Sequence, residues 1–235
     1  MKPVRLLQQM MSIVALTGAC AHATPVYEQA PAAQPSTGWT SHVGVGQGGY
    51  QTFDDFSLAS DTAIQRVTWR GTYLTADSNG LHGAAPNTDS WTVEFWSGNA
   101  AGPSTRLFRR DYAGADTQRT AAGSMPFAGT QIDLFDFAID LGTDFDADAN
   151  VQYWFSVRSN AASFSPFFSW TNSDAAGNSY QTLNDSQGNT VADFVRGGSR
   201  AFALHNNVPE PASLALVMAA LLAAPAFGAR RRAGQ

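Results

Sequence analysis

Several groups of side chains in this sequence have the types and spacing to do chemistry. Asp144, Asp146, Asp148 and Asn150 alternate through Asp144-Phe-Asp-Ala-Asp-Ala-Asn150. Oxygen ligands at the first, third and fifth places of a loop suit a hard cation such as calcium. The rest of that pattern is missing, because Ala149 stands where the sharp turn needs glycine and Phe155 where a glutamate would close the site. The acidic run is therefore expected to be a solvated connection into a strand. Asp54 and Asp55, beside Phe53 and Phe56, are a second source of carboxylates, and no metal site is expected from either. Gly44-Val-Gly46-Gln-Gly-Gly49 has the spacing of a dinucleotide-binding turn, but that chemistry needs a helix N-terminus after the glycines. Tyr50-Gln-Thr-Phe53 follows and reads as strand, so the segment is expected to be a glycine-rich loop.

Hydrolytic chemistry has little to stand on. Glycoside hydrolysis uses a pair of carboxylates flanking the bond, and residues 39–206 contain one glutamate, Glu94. No G-x-S-x-G elbow occurs, and His42, His82 and His205 lack metal-ligand spacing, reading as ordinary surface or loop histidines. No catalytic residue and no cofactor is expected. The aromatic side chains offer more. Trp96 and Trp154 each stand on the opposite parity from the apolar set of their strand. Exposed indoles there could stack on sugar rings while Glu94, Gln152 and Arg158 orient hydroxyls. The competing expectation is that loops cover that face and both tryptophans are core. Arg109-Arg110 beside Asp111 reads as a solvated or ion-paired edge.

These residues must be positioned by strands. Val67, Trp69 and Tyr73 alternate with polar residues, Gly71 interrupting the apolar face; Trp91, Val93 and Phe95 alternate likewise. Phe135, Phe137, Ile139 and Leu141 share one parity, as do Val151, Tyr153, Phe155 and Val157. Phe168 with Trp170, and Phe202 with Leu204, complete the set. Period-two alternation puts one face of each segment in a core and the other in water. Turn clusters at Asp77-Ser-Asn-Gly80, Ser97-Gly-Asn-Ala100 and Asp185-Ser-Gln-Gly-Asn189 separate the runs. No long amphipathic helix and no fixed-period repeat is visible between Trp39 and Asn206. The expectation is an all-β domain over residues 39–206, about eight to ten short antiparallel strands in a jelly-roll-like β-sandwich. Residues 24–38, rich in proline and alanine, read as a flexible linker.

Composition narrows the partners. Residues 24–207 hold nine arginines, no lysine and eighteen acidic residues, a formal charge of −9. A net negative domain argues against nucleic acid, and against anionic lipid or polysaccharide as simple electrostatic partners.

The two ends of the chain read as addresses. Lys2 and Arg5 precede an apolar stretch from Met10 to Gly18, and small residues fit cleavage after Ala23, which makes residues 1–23 a signal peptide. Thr17-Gly18-Ala19-Cys20 approaches a lipobox without the preferred leucine; cleavage after Ala23 leaves a mature chain free of cysteine. At the other end Val208-Pro209-Glu210-Pro211 precedes an uncharged run from Ala212 to Ala229 and the cluster Arg230-Arg231-Arg232. The prolines hold their segment extended. Eighteen residues at ~1.5 Å each reach ~27 Å, enough to cross a thin hydrocarbon core. The arginines should stay on the cytoplasmic side. Residues 207–232 resemble the PEP-CTERM sorting signal of exported Gram-negative bacterial proteins. The resemblance implies recognition by an exosortase-type membrane enzyme near Pro209-Glu210-Pro211, a single transmembrane helix before processing, and a biofilm or exopolysaccharide setting. The expected function is thus that of an exported cell-surface or matrix protein, structural or polysaccharide-associated; the alternative is a secreted carbohydrate-active enzyme on a sandwich scaffold.

Overall fold

The computed structural model describes residues 24–78, 80–84 and 90–206. The expected signal peptide at 1–23 and the sorting segment at 207–232, with Val208, Pro209, Glu210, Pro211, Arg230, Arg231 and Arg232, lie outside the described residues.

Among the described residues, alternation becomes fifteen strands. In chain order they are β1 Tyr27–Gln29, β2 Trp39–Thr40, β3 His42–Gly44, β4 Gly48–Phe56 and β5 Thr62–Asp77. Next come β6 Gly80–Gly83, β7 Ser90–Asn99, β8 Gly102–Tyr112, β9 Gln118–Phe127 and β10 Thr130–Ala147. The last are β11 Tyr153–Ala161, β12 Phe167–Trp170, β13 Asn178–Asn184, β14 Thr190–Gly197 and β15 Phe202–His205. One sheet runs β1-β15-β5-β10-β9, with β12 and β6 also on β5 and β2 on β12. The other runs β14-β13-β4-β3-β11-β7-β8. Pairing between these strands is antiparallel except for β3 beside β11, a parallel contact that period-two patterning could not announce.

One aromatic core joins the inner faces of both sheets. Trp69 of β5 lies 5.0 Å from Trp91 of β7, and Phe155 of β11 lies 5.0 Å from Phe202 of β15, so rings from opposite sheets meet edge to face or tilted. Phe137 stacks on Trp69 at 5.4 Å, and Phe145 on Phe95 at 4.3 Å. Each buried ring contributes about 1.5–3 kcal/mol by leaving water, which suits a domain with no disulfide. The break that Gly71 makes in the apolar face of β5 has a direct cause. A Cβ there would meet ring carbons of Phe168 at 2.0 and 2.4 Å, so the glycine leaves room for that ring.

Three expectations need correction. Tyr27–Gln29, inside the segment read as linker, is a strand paired with β15. Its Tyr27 packs on Phe56 and Phe202, and Gln29 donates to the Asp55 carbonyl at 3.1 Å; neighbouring prolines and alanines hid a tyrosine that completes the core. The strands are not all short: β5 has 16 residues and β10 has 18. Strand β10 continues past an irregularity between Asp140 and Phe145, where Gly142 takes φ +68°. Val151, expected in the core with Tyr153, Phe155 and Val157, precedes β11 and is exposed.

A buried pair sits where the inner face of β4 meets the start of β15. Asp54 is fully buried and accepts the Arg200 backbone N–H and, at 2.9 Å, the Asp55 N–H. Arg200 is also buried, donating to the Gly198 carbonyl at 2.9 Å and the Trp170 carbonyl at 3.4 Å. Burial pushes the Asp54 carboxyl up to about 7, against the opposing hydrogen bond and charge of Arg200. An unfolded aspartate releases its proton near pH ~4. The folded state therefore binds the extra proton between about pH 4 and about pH 7. Stability from this group is complete at the acid side of that window and is lost as pH rises through the folded value. We expect urea unfolding of wild type and Asp54→Asn to diverge across the window, wild type gaining toward acid by up to roughly 1.4 kcal/mol per pH unit. A difference that does not change with pH would refute this assignment of the proton.

Candidate polar groove on the outer face of the second sheet

Where Trp91, Val93 and Phe95 turn inward, the residues between them turn out. Cross-strand register then sets one transverse row: Arg109 opposite Glu94, Glu94 opposite Ser156, Ser156 opposite Phe53, and Phe53 opposite Tyr180. A parallel row places Arg106 opposite Trp96 and Trp96 opposite Trp154. Above these rows opens a groove of about 580 Å³. Gln51, Phe53, Glu94, Trp96, Arg158, Tyr180 and Thr182 are among its lining; the β3–β4 and β13–β14 turns and Pro103, Arg106 and Arg109 of β8 form its rim.

The rim explains the glycines and the aspartate that the sequence displayed. Gly44-Val-Gly46-Gln-Gly-Gly49 is a hairpin turn into β4, as its strand-like continuation required. Gly48 has φ +75°, and a Cβ on it would lie 2.4 Å from the Asn184 carbonyl. Glycine thus lets the two rim turns approach. Facing it, Asp185 accepts the Gln187 and Asn189 N–H groups at 2.9 and 2.8 Å, closing the other turn on its own side chain.

A polar network runs through the groove with Glu94 at its centre. Glu94 is 2% exposed. Its Oε2 accepts from Gln51 Nε2 at 2.7 Å and from Trp96 Nε1 at 2.9 Å; its Oε1 faces Arg106 Nη1 at 3.5 Å and Arg109 Nε at 3.8 Å. Gln51 passes the chain on, accepting from Arg158 Nη1 at 3.3 Å. Arg158 Nε donates to Asn160 Oδ1 at 3.2 Å, Asn160 donates to Thr92 Oγ1 at 2.8 Å, and Thr92 donates to Asp111 at 2.6 Å. Burial pulls the Arg158 guanidinium below its usual range; Glu94 opposes that pull, while Arg109 and Arg106 add to it. The indole of Trp96 is thereby fixed by a hydrogen bond at one edge, against Phe53 at 5.7 Å, with the Arg106 guanidinium 5.7 Å from its ring centre. Such a ring is half-buried and rigid. On the far side Tyr180 hydrogen-bonds Asp193, and burial, ahead of that bond, raises its hydroxyl's pKa.

The two tryptophans singled out from parity have different fates. Trp96 lines the groove. Trp154 does not offer a free face: it is 4% exposed, donates to the Asn99 carbonyl at 3.3 Å, and packs against Tyr180 at 6.2 Å. The β7–β8 turn covers it, and a Cβ on Gly98 would come within 2.6 Å of its indole. The expectation of an exposed platform at Trp154 is corrected; it supports Tyr180 from behind, beside a smaller cavity of about 210 Å³. Phe53 and Tyr180, which sequence reasoning passed over, complete the aromatic floor. Their signal was the outward parity of β4 and β13, masked because Phe53 adjoins Asp54 and Tyr180 stands among polar residues.

The other candidates are not brought together. Asp144, Asp146 and Asp148 are exposed, alternating with buried Phe145 and Ala147 as a strand requires; Asp144 accepts from Gln65 at 2.9 Å. Among the described residues no group of three or more His, Cys, Asp or Glu side chains could hold a metal ion. His82 approaches Asp77 at 3.7 Å and His205 contacts Thr68 at 3.3 Å. His42 is not a surface histidine: it is buried in β3, Nδ1 against Ser159 and Nε2 against the Ser163 carbonyl, both at 3.1 Å. Of the Arg109-Arg110 pair, alternation sends Arg109 to the groove and Arg110 across to the Leu141 carbonyl at 2.8 Å.

Beyond the folded domain, residues 207–232 match the family model of the PEP-CTERM protein-sorting motif. No curated protein and no solved structure matches the chain. The motif marks an exported protein that an exosortase processes.

Glu94 carries the groove, and removing it leaves donors on the buried Gln51 and the half-buried Trp96 short of their acceptor. Glu94→Ala is expected to destabilise the domain by about 1–3 kcal/mol, read as a lower urea midpoint. Trp96→Phe deletes one donor and keeps the acceptor, so it should cost less than Glu94→Ala; equal costs would contradict this network.

Proposed function

We propose that this chain, sorted through its PEP-CTERM motif, is a structural, polysaccharide-associated protein of the cell surface or extracellular matrix. Its jelly-roll-like sandwich would bind glycan in the outer groove. The observation that carries the reading is the pair of half-buried rings in the groove, Trp96 and Tyr180, which flank the buried Phe53 with ring centres 5.7 and 6.4 Å from it, bordered by Gln51, Thr182, Asp193 and three guanidiniums. Aromatic rings stack on the apolar face of a sugar, and amide, hydroxyl and charged groups around them fix its hydroxyls.

Export fits the same picture. In the proposed course the apolar run from Ala212 holds the chain in the inner membrane of a Gram-negative bacterium, arginines inward, while Pro209-Glu210-Pro211 meets the exosortase. The described chain starts and ends at one end of the first sheet, since Val26 N–H donates to the Leu204 carbonyl at 2.8 Å, and Val26, Leu58 and Asn206 share a cavity. Leu58 lies just beyond β4, whose other end at Gly48 is on the groove rim. Nine residues of strand at ~3.3 Å each separate these ends by roughly 30 Å. The β3–β4 side of the groove rim is thus remote from the point where the chain continues toward the sorting motif, while its β8 side, at Pro103 and Arg106, lies in register with the Asp55–Phe56 end of β4.

Catalysis on glycan, the alternative, is less well supported by the side chains. Both Glu94 oxygens face donors already present in the groove, which suits an anchor for the floor more than a group that must exchange protons with a substrate. The test is affinity electrophoresis of the exported protein through gels containing polysaccharides, beside a reducing-sugar assay. Wild type should be retarded without releasing sugar, and Trp96→Ala should weaken retardation about tenfold or more, the worth of one aromatic platform. Sugar release that disappears in Glu94→Gln would replace binding with hydrolysis.

A further inference from the structure

The domain is acidic as a whole, yet three of its nine arginines, Arg106, Arg109 and Arg158, converge on one carboxylate in the groove. On the β11–β7–β8 side of the groove these three positive charges face Glu94 and Asp111, while Asp185 and Asp193 line the opposite, β13–β14 side. The contacts differ in kind from those elsewhere on the surface. Arg66 meets Asp140 at 2.9 Å and Arg70 grips Asp136 through two bonds of 2.7 and 2.8 Å. Arg106 and Arg109 reach Glu94 only at 3.5 and 3.8 Å, and Arg109 reaches Asp111 at 3.5 Å, with both side chains more than 40% exposed. Their forks are held near the groove by Glu94 and by the Trp96 ring without being saturated. Glu94 cannot turn further toward them, because Gln51 and Trp96 hold its other oxygen.

We infer that the groove recognises an acidic polysaccharide, the anionic substituent of one sugar (carboxylate or sulfate) seated on Arg106 and Arg109 while its ring stacks on Trp96. A planar guanidinium offers paired N–H donors that match a carboxylate or sulfate edge, and charge-assisted bonds of this kind are about twice as strong as neutral ones. Arg158, half-buried behind them and bonded to Gln51 and Asn160, adds positive potential from the floor. The net negative charge of the rest of the domain does not prevent this, since exposed charges beyond a Debye length of roughly 8–10 Å are screened. The inference rests on the glycan-binding reading above and names its ligand.

The exported full-length product is run through native gels containing neutral polysaccharides (dextran, galactomannan), uronate polymers (alginate, polygalacturonate) or sulfated ones (dextran sulfate, chondroitin sulfate), at low and high salt. Retardation should be strongest in one of the two acidic sets, which identifies the substituent, and should fall with salt. Arg106→Ala/Arg109→Ala should lose about tenfold or more of it, the worth of a charge-assisted contact. The buried Glu94 Oε1 loses its cationic partners as well, so the urea midpoint should fall, and retardation is compared on protein shown to be folded by circular dichroism. Arg106→Lys/Arg109→Lys should recover only part, as the ammonium lacks the fork. Retardation by neutral polymers alone, or acidic binding untouched in the double alanine variant, would overturn the acidic ligand while leaving glycan binding intact. No retardation in any gel would remove both readings.

Discussion

Strand β7 presents Trp91, Val93 and Phe95 to the aromatic core and Thr92, Glu94 and Trp96 to the opposite face, and the second sheet is organised around that division. The inner set cannot move: Trp91 is wedged between Trp69, Phe137 and Phe168, and Phe95 between Phe145, Phe155 and Phe56. Because side chains alternate with a period of two, fixing the inner set fixes the outer one. Glu94 is thereby placed under neighbouring side chains, where an ionised carboxylate needs donors. Gln51, Trp96, Arg106 and Arg109 supply them, each from a register-determined neighbouring position.

The same constraint explains why the groove is stiff. Trp96 is pinned by a bond to Glu94 and by Phe53; Tyr180 is backed by Trp154 and bonded to Asp193. Side chains held in this way lose little further freedom when a ligand arrives, which is how a shallow polar groove achieves useful affinity. Glycines at Gly48 and Gly98 allow the close approaches that hold the rim and cover Trp154. Backbone and side chains thus share the task of shaping a surface that neither strand alone contains.

The buried Asp54–Arg200 pair belongs to a different part of the design. It ties the inner face of β4 to the segment leading into β15, the strand that also receives β1. The first and last strands of the described chain are therefore joined to each other and to the core. A domain without cysteines gains closure by this route, through ring packing and buried hydrogen bonds in place of a covalent staple.

Much of the fold was legible in the sequence. Val67, Trp69, Tyr73, Trp91, Val93, Phe95, Phe137, Ile139, Phe155, Phe168, Trp170, Phe202 and Leu204 all lie in the core as their alternation predicts, since burial on one face of a strand imprints itself locally. The sorting motif at 207–232 was equally local, a contiguous pattern of prolines, apolar residues and arginines. The pairing of β1 with β15, the parallel contact of β3 with β11 and the length of β10 were not legible, because they depend on partners far away in the chain. The same limit governs the groove. Outward parity marked both Trp96 and Trp154, but only the β7–β8 turn decides that one lines the groove and the other is covered. Net charge spoke against an anionic partner; it averages over the surface, whereas strand register gathers Arg106, Arg109 and Arg158 around Glu94. Sequence by itself determined which faces are buried and how the chain is addressed; tertiary structure decided which outward residues meet, because an encounter between side chains depends on distances that no local pattern contains.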